Sequence, residues 1–317
     1  MIKFQPLSVS LLLSLALLVG CPGDPDDDSA GDDDAGDDDD GGPVEYRFTL
    51  GVIADPHVTG NVEHAERLDA AVAWMNDHAS ERDIRFVVVL GDIGWNSGID
   101  TVKPQLDALS MPYVPITGDN EIHAGDEEAF FDTFTPQWEL LSTTLDGWQM
   151  ATMPVDNPVA GKLSWFNNFS FDYEGVHFIG LDWCVRGDHG LLGDTGDLHD
   201  FEGGSFQFWE DDLAGREGDP QASIVLLTHI PMQILMFDID ELEKVYEVMT
   251  AVGDAHYGNL AGHVHIDATF TEADGLYELI TYDATWDDDV TVGLVEVSGN
   301  DQRFEYHHEL HIVPFGG

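Results

Sequence analysis

The chain has 317 residues, 43% of them apolar, and nothing in it repeats, which suits one large domain around one core. Lys and Arg total 11 against 62 Asp and Glu, a formal net charge of -51, and this excludes charge-driven binding to nucleic acid or to an anionic lipid surface. Any phosphate-bearing substrate would then have to be drawn in by something locally positive, as bound metal ions would do, being the largest charges in such a site.

Met1 to Cys21 carries an early Lys3, an apolar core from Val9 to Val19, and then Leu18-Val19-Gly20-Cys21. A membrane-crossing helix needs about 20 apolar residues, so this shorter run reads as a signal-peptide core. Its end resembles the lipobox of bacterial lipoproteins. The resemblance implies a leader over residues 1–20 that is cleaved before Cys21, acylation of that thiol, and a lipid-anchored place in the cell envelope, periplasmic or at the cell surface; the alternative is an ordinary secretory signal with an incidental cysteine. Pro22 follows rather than Asp, so the enterobacterial sorting rule does not demand retention at the inner membrane. Residues 21–43 are Asp, Gly, Ala and little else, with no large apolar anchor, a disordered acidic tether of roughly 25 Å if fully flexible. A calcium-binding segment is the rival, without the periodicity of calcium repeats or a Glu-terminated EF-hand loop. Eleven of the 62 acids lie between Asp24 and Asp40, so the body still holds 51 acids against 10 bases. That surface suits salty surroundings, where screening removes self-repulsion, or serves solubility alone.

The folded domain is expected over 44–317. A strand to Ala54 leads through Asp55-Pro56-His57 to an amphipathic helix near 62–80, with Leu68, Ala71, Val72 and Met75 at helical spacing. His64 and His78 on that helix are expected at the surface. The apolar run Phe86–Leu90 closes on Gly91-Asp92 as a central strand, 101–109 can be helical, and a strand to Thr117 follows. This β-α-β-α-β order is a doubly wound start. Ala124 to Lys162 shows no clean period, and its Phe130, Phe131, Phe134, Trp138 and Trp148 suggest cover over the sheet. Alternation from Phe169 to Ile179 predicts a hairpin turning at Glu174-Gly175, and a helix opens near Gln207. The loop through Phe201, with Asp188, His189, Asp194, Asp197, His199 and Asp200, either shapes substrate entry or is a solvated acidic loop. Cys184 has no disulfide partner and is expected as a small buried hydrophobe. Strands near 268–271, 277–282, 290–297 and 304–311 are expected to complete the second sheet.

Five strand-like runs end in Asp, His or both: Asp55-Pro56-His57, Gly91-Asp92, Gly118-Asp119-Asn120-Glu121, His229, and Gly262-His263-Val264-His265. A lone Asp or His after a strand is commonly a cap or turn residue. Together they offer carboxylate oxygen and imidazole nitrogen enough for two metal ions, beyond the carboxyl ends of strands, where ligands gather in α/β sheets. At this point the chain resembles the calcineurin-like metallophosphoesterases, whose pattern runs Asp-x-His, Gly-Asp, Gly-Asn-His-Asp/Glu, His and Gly-His-x-His. The resemblance covers roughly 48–265, and only the third block is altered.

The resemblance implies an α/β fold, a four-layered α/β/β/α sandwich with a dinuclear metal site at the strand C-terminal ends. It implies one ion among Asp55, His57, Asp92 and His265, the other among Asp92, Asp119, His229 and His263, with Asp92 bridging. The cofactors would be two divalent or mixed-valence ions of Mn, Fe or Zn, and the activity hydrolysis of a small phosphoester by a hydroxide bridging them. Trp95 stands where purple acid phosphatases carry a metal-bound tyrosine, which disfavours that branch. In the third block, aligned on Gly118, Asp119 replaces the ligand Asn and adds a negative charge, while Asn120 replaces the catalytic His. His123 is then a substitute proton donor. Sliding the register by one residue makes Asn120 the ligand and leaves Asp119 to cap the turn. The alternative to an enzyme is a catalytically weak or inactive metal-stabilised binding lipoprotein of the same fold.

Overall fold

The strand-ending runs become the cores of two sheets in a computed structural model, which describes residues 46–186, 195–215, 223–233, 235–252, 256–272, 277–287, 289–300 and 303–315. The chain divides into a unit Met1–Gly41 and a unit Gly42–Gly317. The leader, Cys21 and the tether lie outside the described residues, as do Asp188, His189 and Asp194. No helix among the described residues is long and apolar enough to cross a membrane.

In the first sheet, β1 (Tyr46–Ile53), β2 (Ile84–Leu90) and β3 (Tyr113–Ile116) run parallel, and β13 (Val290–Asn300) and β14 (Arg303–Val313) extend it antiparallel beyond β1. The second sheet has the order β11 (Ala268–Glu272), β12 (Tyr277–Thr281), β10 (His256–Ala261), β9 (Ser223–Thr228), β8 (Val176–Leu181), β7 (Phe169–Tyr173) and β4 (Asp146–Met150). Between β4 and β7 the chain makes a small hairpin of β5 (Val155–Asn157) and β6 (Lys162–Ser164). The expectation that all strands after His265 join the second sheet is therefore corrected: β11 and β12 do, while β13 and β14 belong to the first. Val290, Val292, Leu294, Val295 and Val297 are buried on both faces of β13, a property of an inner strand in either sheet. Composition states that such a strand is internal but not which partner it takes.

Period-2 alternation sorts the two faces. Phe48 of β1 meets Phe86 at 6.4 Å and Tyr173 of the other sheet at 4.9 Å, while a Cβ on the neighbouring Gly51 would strike Met75 of α1 (Val62–His78) at 2.8 Å. Helix α1 covers the outer side of the first sheet with α2 (Ile99–Leu106) and α4 (Glu127–Thr144). On the second sheet, Ile179, Leu181, Ile224, Leu226 and Leu279 face α5 (Ser205–Ala214) and α6 (Ile239–Ala251) through Trp209, Leu213, Leu242, Val245 and Met249. The layers are α/β/β/α. Each fully buried Val, Leu or Phe contributes roughly 1.5–3 kcal/mol relative to exposure.

The hairpin turn falls at Glu174-Gly175, with φ of 46° and 85°, the left-handed pair of a two-residue type I′ connection. The segment without a period contains α4, in which Phe130, Phe134, Trp138 and Leu141 are buried; Pro136 inside the helix hid the pattern, because proline argues against a helix interior. Arg186, fully buried, bonds Asp182 through Nη1 at 3.0 Å and Nη2 at 2.6 Å, bonds Glu127 through Nε at 2.8 Å, and lies over the Phe166 ring at 4.2 Å. It pins the segment after β8 to the first turn of α4. His199 is 2% exposed within this network, neither in solvent nor at an entrance. Cys184 is free and buried.

Candidate metal centre

Parallel pairing of β1, β2 and β3 and of β8, β9 and β10 puts the carboxyl ends of neighbouring strands at one edge of each sheet, so the five polar strand ends meet. Asp55, His57, Asp92, His263 and His265 all adopt left-handed backbone, with φ between 48° and 69°. Such conformations cost about 1–3 kcal/mol each and persist where the surroundings over-determine them. Here the loops are interlocked: His57 N–H donates to Asp92 O at 2.9 Å, and His263 N–H donates to the Asp55 carboxylate at 3.1 Å. Two motif glycines are required by close approach. A Cβ on Gly91, whose φ is +79°, would lie 2.4 Å from the His229 ring, and one on Gly118 would lie 2.0 Å from Asp92 N.

Among the described residues the side chains form two groups, Asp55-His57-His265 and Asp119-His229-His263, and a third, Asp55-Asp92-His229, overlaps both; in each, one donor atom per residue lies within 4.8 Å of the others. In the first, His57 Nε2 is 3.8 Å and His265 Nε2 3.4 Å from Asp55 Oδ1. In the second, His229 Nε2 is 2.7 Å and His263 Nδ1 3.1 Å from Asp119 Oδ1. Asp92 lies between them, with Oδ2 3.1 Å from His57 Nε2 and Oδ1 3.4 Å from His229 Nε2. His229 Nδ1–H donates to Leu90 O at 2.9 Å, which turns Nε2 inward in the way outer hydrogen bonds orient ligating imidazoles. Asp55, Asp92, Asp119 and His229 are buried, while His57, His263 and His265 are partly open to solvent.

Asp55 and Asp119, and the imidazoles of His57 and His229, are held charged by their neighbours. Burial alone would raise Asp55 and Asp119, yet the imidazoles of His265 and His57 around the one, and of His229 and His263 around the other, keep both well below the usual carboxylate range. Burial would lower His57 and His229; Asp55 and Asp92 instead push His57 up to about 9, and Asp92, Asp119 and Asp55 raise His229 well above its ordinary value. A site that stabilises cations this strongly suits metal ions, which replace the imidazolium protons. His57 Nε2 is buried and faces Asp92 Oδ2 at 3.1 Å and Asp55 Oδ1 at 3.8 Å, a nitrogen and two carboxylates turned toward one point. Four imidazoles and three carboxylates are a donor set suited to Mn, Fe or Zn.

The altered third block opens α3 (Asp119–Ala124). Asp119 reaches the His229-His263 group, whereas Asn120 belongs to Asp92: its backbone N–H donates to Asp92 Oδ1 at 2.9 Å and its side-chain amide to Asp92 Oδ2. Glu121, missed as a site residue, is fully buried and accepts Gly94 N–H and Gly118 N–H, each at 2.8 Å, which ties the turns after β2 and β3 together. Burial and the nearby Asp92 push its carboxyl up to about 8. His123 Nδ1 stands 3.6 Å from Asp119 Oδ2 at the partly exposed rim. His64, expected at the surface, is half-buried, with Nδ1–H donating to His57 O at 2.7 Å. Trp95 and Trp286 flank the His57 ring; Trp286 is 21 residues beyond His265 and no motif marks it.

No curated protein matches the sequence. Among solved structures, the chain is similar to GAP50, the anchor in the inner membrane complex of Plasmodium, at 11% identity and a TM-score of 0.44 over 82% of this chain and 88% of that one. It is similar to TT1561 of Thermus thermophilus at 9% identity and 0.45, over 81% and 100%, and to the sulfate thiohydrolase SoxB of Thermus thermophilus at 12% and 0.43, over 84% and 56%. The sequence pattern of the calcineurin-like phosphoesterase family matches residues 48–267. That span starts inside β1 and ends two residues after His265, so it takes in every strand end that meets at the centre, and the chain belongs to the calcineurin-like phosphoesterase family.

Proposed function

We propose that this protein hydrolyses phosphate esters with a pair of metal ions, outside the cytoplasm and on a lipid anchor. The observation that carries the hydrolytic reading is the convergence of seven side chains from five strand ends into two three-residue groups with Asp92 between them. Asp55, His57, Asp92 and His265 would hold one ion, and Asp92, Asp119, His229 and His263 the other. Two such ions, of Mn, Fe or Zn, supply an activated water and neutralise charge that develops on the phosphoryl oxygens.

The chain's own residues do the rest. Asn120 fixes both oxygens of Asp92, so the shared carboxylate cannot swing toward either group. Half-open His57, His263 and His265 leave the entrance through which a small phosphoester reaches the centre. The amide of Asn120 cannot release a proton to a leaving group. His123 is the titratable side chain of α3 on the rim and takes the role of proton donor. Hydrolysis of a nitrophenyl phosphate mono- or diester with added manganese, abolished by chelator and restored by metal, is the expected result.

Asn120 also favours a second reading, a metal-stabilised binding lipoprotein without appreciable turnover. Protein that carries two metal ions per chain yet hydrolyses neither ester would select it. The envelope location is supported by the leader and by Gly20-Cys21 directly after its apolar core.

A further inference from the structure

Trp286 lies beyond the residues matched by the family, in the turn after β12, and that turn is fastened to the metal centre. Thr285 N–H donates to Ala54 O, the residue before Asp55, at 2.9 Å. Thr285 Oγ1 donates to Thr291 O at 2.9 Å and Thr291 Oγ1 to Asp283 O at 3.1 Å, while Arg67 of α1 donates to Asp287 O. So held, the indole lies against the His57 ring with centroids 5.2 Å apart and planes 19° from parallel. It meets the His265 ring edge to face at 6.0 Å and the His64 ring at 5.4 Å. Trp95 also meets the His57 ring edge to face at 5.1 Å.

The two groups are therefore oriented by different means. In the Asp119 group, His229 is aimed by its Nδ1–H bond to Leu90 O. In the Asp55 group, His57 Nε2 faces Asp92 Oδ2 at 3.1 Å, and the rings of Trp286 and Trp95 pack against the imidazole. His57 and His265 belong to the Asp55 group, and Trp286 packs on both.

We propose that Trp286 is a positioning residue for the Asp55-His57-His265 group: stacked on His57, it blocks the ring rotation that would carry Nε2 away from Asp92, and so sets how tightly that group alone holds its cation. The proposal rests on the two-metal reading. Aromatic pairs of this kind are stabilising in themselves, and loss of a partner that orients a ligand typically weakens metal affinity at least tenfold.

The test is calorimetric titration of Mn²⁺ into metal-free full-length protein, with the metal-free melting temperature measured alongside. Wild type should show two binding events. Trp286→Leu should weaken one of them about tenfold and leave the other unchanged, and Trp286→Phe, which keeps a ring against His57, should restore most of the loss. Should Trp286→Leu fail to fold, Trp286→Met, unbranched and flexible, gives the same comparison. Unchanged binding at both sites overturns the proposal, as does equal weakening of both with a lowered metal-free melting temperature, the mark of general loosening. Wild type that binds fewer than two ions overturns the metal reading itself, and the proposal with it.

Discussion

At the residue scale the proposed chemistry turns on Asp92 and the pair Asp119-Asn120. Asp92 contacts both groups, so Asp92→Ala is expected to abolish turnover and remove one of two tightly bound ions; two ions per chain by elemental analysis in that variant would contradict the shared-ligand assignment. Asp119 brings a carboxylate beside His229 and His263. Asp119→Asn keeps an oxygen ligand but drops the charge, and its affinity for the second ion should fall about tenfold, in the range set for perturbed metal sites. Asn120→Ala should keep both ions while lowering turnover, because only the bonds that steady Asp92 are lost. Loss of an ion in Asn120→Ala with normal binding in Asp119→Asn would put the ligand at position 120.

The elements that carry these residues are held by two devices, one apolar and one charged. Between the sheets, Phe178 stacks on Phe171 at 5.0 Å and meets Phe86 edge-on at 5.5 Å, so Phe178→Ala should cost about 3–5 kcal/mol by the usual scale for buried Phe truncation, read from denaturant unfolding. Beside the segment after β8, burial and the Arg186 guanidinium both oppose protonation of His199 and hold it down to about 4. An unfolded imidazole titrates near 6.5. As pH falls from about 6.5 to about 4, the unfolded chain takes up a proton that the folded chain refuses, so this residue's effect on stability is a loss confined to that window. His199→Gln should flatten the fall in melting temperature across it. An equally steep fall in the variant would assign the acid sensitivity to other groups.

Over the whole molecule, acids outnumber bases by 62 to 11. Basic side chains such as Lys103, Lys162, Arg186 and Lys244 are paired with carboxylates, and the net charge of -51 remains. Screening shortens from about 10 Å at 0.1 M salt to about 3 Å at 1 M, so the melting temperature should rise with sodium chloride; a flat or falling curve would mean the fold is not strained by its charge. The proposed anchor predicts that Cys21→Ser moves the protein from the membrane fraction or leaves its leader uncleaved. What the sequence determined by itself was local: the strand ends, the hairpin turn at Glu174-Gly175 and the α1 face of Leu68, Ala71, Val72 and Met75 follow from hydrophobic period and glycine placement, which act within a few residues. Tertiary structure decided the rest. Which sheet receives β13, whether Asp119 or Asn120 reaches the histidines, and that Trp286 lies on His57 depend on contacts between residues far apart in the chain. Only the packing of the two sheets and the sharing of Asp92 between two loops choose among arrangements that leave the local pattern unchanged.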